Sequence, residues 1–127
     1  MKHLDYVAAL LETEGKGTLG TDIFIGTLPA DVNRGIMLKD PLLGHAVNEE
    51  LPDWYQTNFQ IIIRDPDEQV GSERAEAIFE ILFQNHVETT DLTVVKMFPR
   101  TKPIMYPRND ADEVEFSMLV RIHFGEK

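Results

Sequence analysis

The segment from Val114 to Phe124 constrains this chain more than any other. Val114, Phe116, Met118, Val120, Ile122 and Phe124 alternate with Glu115, Ser117, Leu119, Arg121 and His123. Successive strand side chains point to opposite faces, so this period of two predicts a long strand with one face in a core. A helix would scatter the same apolar residues around its circumference. Such a strand needs other strands beside it and a layer that covers its apolar face.

Candidates for both are present. Phe59-Gln60-Ile61-Ile62-Ile63-Arg64 carries three consecutive isoleucines, which predict a strand buried on both faces and central in its sheet. Leu92 to Phe98 is rich in β-branched residues and predicts another strand. Thr21–Gly26 and Gly35–Lys39 read as two short strands. Their link, Leu28 to Arg34, holds the turn formers Pro29, Asp31 and Asn33, so the pair is expected to form a hairpin. Pro99, Pro103 and Pro107 exclude a regular central strand from the stretch that contains them.

Leu4, Val7, Ala8 and Leu11 form an amphipathic stripe, which predicts a helix from about Lys2 to Glu14, stopped by Gly15 and Gly17. Gly71 leads into a second helix, with Ser72 as N-cap and Glu73 and Glu76 in the first turn, where carboxylates complement the helix dipole. Its core stripe is Ala75, Ile78, Phe79 and Leu82, and its end is expected near Asn85. The segment Asp40 to Asp53 lacks periodicity and reads as a long loop, a feature often functional or ordered by a partner. Together these elements predict an α+β fold, a largely antiparallel sheet covered on one face by two helices, as a single domain over 1–127.

The chain holds 22 acidic against 12 basic residues, a formal net charge of −10, and no cysteine. Disulfide scaffolds, thiolate zinc sites and cysteine nucleophiles are thereby excluded. An acidic surface repels phosphate backbones and anionic lipid, which speaks against a nucleic-acid binder and a membrane partner. Asp5 and Glu12 interrupt the first apolar stretch, so a signal peptide is not expected, and no run is long enough to span a bilayer. The protein is expected to be soluble and to stay where it is made.

No enzymatic constellation emerges. His3, His45, His86 and His123 lack metal-ligand spacing, and His123 falls on the polar phase of its strand. Asp65-Pro66-Asp67-Glu68 and Asp110-Ala111-Asp112-Glu113 lack the offsets of a calcium hand and read as solvated acidic turns. Gly15, Gly17 and Gly20 precede a strand and so form no phosphate cradle. No catalytic residue, cofactor or metal ligand is assigned, although distant carboxylates could still combine in a hydrolase.

The order of segments resembles the tail terminator and tail-completion proteins of tailed bacteriophages, also described as minor tail or minor capsid proteins. A short amphipathic helix and a glycine-containing link precede Ile23-Phe24-Ile25-Gly26-Thr27-Leu28-Pro29, similar to an Ile-Phe-x-Gly-x-Leu-Pro segment of that family. Gly35-Ile36-Met37-Leu38, the strand ending Ile61-Ile62-Ile63-Arg64 and the helix Ala75–Leu82 follow in the family's order. Pro103-Ile104-Met105, Asp112-Glu113 and Glu115-Phe116-Ser117-Met118 resemble its approach to the last strand.

The resemblance implies a structural virion protein, not an enzyme. It would be made in the host cytoplasm and assembled as a homohexameric ring at the head-proximal end of the tail. The implied partners are other copies of the chain, the major tail tube protein, the head connector or neck protein, and the sheath protein if the tail is contractile. DNA would pass through the lumen without specific binding. Leu42, Leu43, Val47 and Leu51, with Trp54 and Tyr55, are the first candidate assembly contacts, because the apolar residues of that loop have no place in the sheet. The second candidates are the link Leu28–Arg34 and the loop Arg100–Asp112, where Arg100, Lys102 and Arg108 make the most basic segment of an acidic chain. A head-completion or connector protein of the same virion and a monomeric module binding through a sheet edge are the alternatives.

Overall fold

In chain order the elements are α1 (Lys2–Thr13), β1 (Ile23–Ile25), β2 (Gly35–Lys39), β3 (Trp54–Asp65), α2 (Glu68–Ile81), β4 (Gln84–Glu88), β5 (Leu92–Pro99), β6 (Ile104–Met105) and β7 (Val114–Glu126). They are seen in a computed structural model that describes residues 2–40, 50, 51 and 53–127. As its alternation predicts, β7 buries Val114, Phe116, Met118, Val120, Ile122 and Phe124. Strand β3 runs antiparallel to it along its whole length, from Trp54 opposite Gly125 to Asp65 opposite Val114.

Among the described residues the sheet has seven strands in the order β1-β2-β3-β7-β5-β4, with β6 paired to β7 off that path. Every pairing is antiparallel except β1 with β2. Both helices pack on the same face. Leu4, Val7, Ala8 and Leu11 of α1 and Ala75 and Ile78 of α2 share one buried cluster with Phe59, Ile61 and Ile63. The α+β architecture expected from the sequence is the one observed.

Several local expectations need correction. The short strands β1 and β2 are parallel, Ile23 opposite Ile36 and Ile25 opposite Leu38, so they form no hairpin. The link after β1 turns at Gly26, whose φ of 90° suits glycine, and runs back far enough to re-enter the sheet in the same direction. Arg64 pins that return by donating from Nη1 to the carbonyls of Pro29 (3.0 Å) and Val32 (3.1 Å). Strand β3 is central, but its helix-side residues alone are buried, and Ile62 on the other face is half-covered.

Helix α2 starts before Ser72. Its N-cap is Asp67, which accepts from the Val70 amide at 3.0 Å, and it ends at Ile81 with Leu82 as C-cap. Gly71 therefore lies inside the helix, where a Cβ would come within 2.7 Å of Phe116 Cε2 and 2.9 Å of Asp65 Cβ. The missing side chain lets α2 sit directly on β7 and the end of β3. Asn85 belongs to β4, an edge strand with polar composition that carries no alternating signal. His86 at φ 53° and the register shift between Val94 and Lys96 bend this edge, a common device against edge-to-edge pairing.

The end of α1 follows the expected chemistry. Gly15 has φ 72°, the Lys16 amide donates to Leu11 O at 2.9 Å and the Gly15 amide to Glu12 O at 3.0 Å, which is the Schellman arrangement. At its start His3 is buried, stacks on Phe124 with centroids 4.8 Å apart, and lies 2.7 Å from Asp40 Oδ1.

The acidic turns are not both solvated. Asp65 is fully buried and takes two hydrogen bonds from Arg34, at 2.9 and 3.2 Å, and one from the Asp67 amide at 2.8 Å. The hydrogen bonding of Arg34 to Asp65, and then the charge of that carboxylate, raise the Arg34 guanidinium above its ordinary pKa. Arg74 of α2 approaches the same carboxylate at 3.7 Å. A buried carboxylate is tolerable only when paired in this way. Glu113 is also buried, held by Asn109 Nδ2 at 3.1 Å.

Candidate assembly surfaces

Both helices lie on one side of the sheet; among the described residues no helix covers the other side, and the composition of that uncovered face follows from strand register. Ile61 and Ile63 point into the core, so Gln60, Ile62 and Arg64 point away from it. Across neighbouring strands Phe24 lies beside Met37, Met37 beside Ile62, Ile62 beside Ser117 and Ser117 beside Ile104. This row is an apolar stripe interrupted by one hydroxyl. Gln60 Nε2 donates to that hydroxyl at 2.9 Å.

On one side of the stripe stands the row Gly35–Arg64–Glu115, closed by an Arg64 Nε to Glu115 Oε2 hydrogen bond of 3.0 Å. On the other side Lys39, Gln60 and Leu119 align, then Asn58, Arg121 and Phe98, then Gln56, His123 and Lys96. Leu119 is 40% exposed and Ile104 52% exposed, so the stripe ends in open apolar surface at the β6–β7 edge. Among the described residues, Lys39, Lys96 and Arg121 have no carboxylate at ion-pair distance. Lys96 Nζ instead sits 5.4 Å from the centroid of the Phe98 ring.

The opposite surface has the reverse charge. Along α2, Glu68, Glu73, Glu76 and Glu80 are exposed, while the helix's one cation, Arg74, turns inward to Asp65 and the Lys16 carbonyl. Phe83, just beyond the helix, is 53% exposed and meets Phe79 edge to face at 5.4 Å.

The residues singled out from the sequence do not converge on one site. Leu42, Leu43 and Val47 lie outside the described residues. Leu51 is exposed, and its carbonyl accepts from the Trp54 amide at the start of β3. The Trp54 indole lies over Gly125, where a Cβ would approach it within 2.9 Å, and meets His123 at 6.2 Å. Tyr55 is on the helix side, stacked on Phe124 at 5.3 Å. Arg108 sits at the far end of the β3–β7 pair, bonded to the carbonyls of Pro66 and Asp112. Lys102 reaches back to α2, 3.2 Å from Glu76 and over the Phe79 ring. Arg100 is exposed after β5, its amide bonded to Leu119 O. Sequence reading missed the stripe, although Leu119 was the one apolar residue on the polar phase of β7 and Ile62 signalled a second apolar face.

No group of three or more histidines and carboxylates that could hold a metal ion occurs among the described residues. Two surface depressions are lined by Glu14, Lys16, Glu80 and Gln84 and by Lys2, Asp5, Tyr6 and Asp91, with their neighbours. No helix among the described residues is long and apolar enough to cross a membrane.

What remains is a small domain-sized sheet with two chemically opposed surfaces. Residues 10–124 match the profile of the bacteriophage tail terminator protein family. The chain belongs to that family. It is thereby a structural protein of a phage tail, as its segment order implied. A sequence comparison with curated proteins gives no match. Among solved structures the fold is similar to a chain from the virion of a native gene transfer agent particle. The TM-score is 0.61 at 15% identity, over 95% of this chain and 84% of that one. At that identity the likeness concerns the fold.

Proposed function

We propose that this protein is a single terminator domain that closes the tail tube as a homohexameric ring, stops tube polymerisation and presents the surface that joins the head connector. Family membership over 10–124 is the observation that supports this reading. The two dissimilar surfaces suit it, because a heterologous contact repeated around a rotation axis closes a ring. A net charge of −10 suits a wall past which DNA slides without being held. The candidate contacts at Leu51 with Trp54 and at Arg108 lie at opposite ends of the β3–β7 pair. They are assigned to different partners, the tube protein and the connector, with the sheath as a further neighbour in a contractile tail.

The test is to add the purified protein to polymerising tail tube subunits and measure tube length by electron microscopy. Growth should stop at substoichiometric protein, with a ring visible on one tip. Tubes that elongate unchanged, with nothing bound at either end, would overturn the reading.

A further inference from the structure

We infer that the uncovered sheet face is the subunit interface, and that its occupant is the acidic outer surface of α2 from a second copy of this chain. The inference rests on the ring reading above and names the surfaces that would build it.

Three observations carry it. First, the face is apolar in a continuous row, Phe24–Met37–Ile62, and opens to Ile104 and Leu119, which are large side chains that water contacts only at a cost. Second, the cations beside that row, Lys39, Arg121 and Lys96, have no acid partner among the described residues, in a chain with an excess of ten negative charges. Third, the outer surface of α2 carries the matching complement: Glu73 and Glu80 project away from the core, and Phe83 stands exposed beside them. Once the local pairs Arg64–Glu115 on the sheet face and Lys102–Glu76 on α2 are set aside, the charges left without an ion-pair partner among the described residues are cationic beside the apolar row and anionic, at Glu73 and Glu80, beside Phe83. Like faces would bring cations against cations, so a two-fold sheet-to-sheet pair is disfavoured and a head-to-tail pair favoured.

The experiment uses two charge-reversed chains, Lys39→Glu with Arg121→Glu on the sheet face, and Glu73→Lys with Glu80→Lys on α2. Assembly is followed by native mass spectrometry in solution and by ring occupancy on preformed tail tubes. Circular dichroism and thermal melting verify that each chain is folded, and Lys96→Glu, at an exposed position, replaces the sheet-face pair if that variant melts. Each variant alone should assemble at least about tenfold more weakly than the wild type, and an equimolar mixture should recover most of the loss. Variants that assemble like the wild type, or a mixture that recovers nothing, overturn the assigned interface while leaving the ring standing. A wild-type chain that forms no ring either free or on tubes overturns the ring reading itself, and the interface with it.

Discussion

At the scale of single residues, the decisive positions are those whose role depends on a neighbour far away in sequence. Gly71 looks like a linker glycine, and helix propensity alone would favour alanine there by about 1 kcal/mol. The contacts reverse that sign. A methyl group 2.7 Å from the Phe116 ring and 2.9 Å from Asp65 Cβ must push α2 off the sheet. Overpacking of this kind costs about 1–3 kcal/mol. We therefore expect Gly71→Ala to be destabilising in urea unfolding, and a stabilised variant would contradict the packing described. Asp65 makes the same point. Its Asp-Pro-Asp-Glu setting reads as a solvated turn, yet the folded chain brings Arg34 and Arg74 to it and makes its burial affordable.

At the scale of elements, boundaries depend on which cap wins. Ser72 is a good N-cap by residue type, but Asp67 captures the Val70 amide first, because the Asp65–Asp67 turn already presents its carboxylate to the emerging helix. Replacing Asp67 by alanine should cost about 1 kcal/mol, whereas Ser72→Ala, inside the helix and exposed, should be nearly neutral. Thermal melts of the two variants separate the assignments. The parallel β1–β2 pair was equally hidden in the sequence. Turn formers in the link predict a turn without stating whether the chain reverses once or comes back to its starting side. Arg64 settles that by binding the link's carbonyls.

At the scale of the whole molecule, charge is segregated: exposed glutamates lie on α2, and Lys39, Lys96 and Arg121, without an acid partner among the described residues, lie on the far face of the sheet. An assembly driven by those surfaces must weaken as salt screens them. From about 0.1 M to about 1 M salt the screening length falls from roughly 10 Å to roughly 3 Å. Ring dissociation measured across that range should rise steadily, while the melting temperature of the isolated subunit changes little. An assembly that strengthened with salt would point to the apolar stripe alone. The interleaved isoleucines of β3 fit the same picture. Their sequence predicts two covered faces, and among the described residues the helices cover only one.

The sequence by itself determined the long alternating strand, the two amphipathic helices, the α+β class and the family, because each is written in local periodicity or in segment order. It also carried the acidic balance that turns attention from nucleic acid to assembly. Only the tertiary structure decided the parallel pairing of the first strands, the polar edge strand β4, the buried Asp65 cluster and the stripe across the uncovered face. Those features arise when strands from distant parts of the chain are set side by side in register, and no local pattern encodes which rows will align.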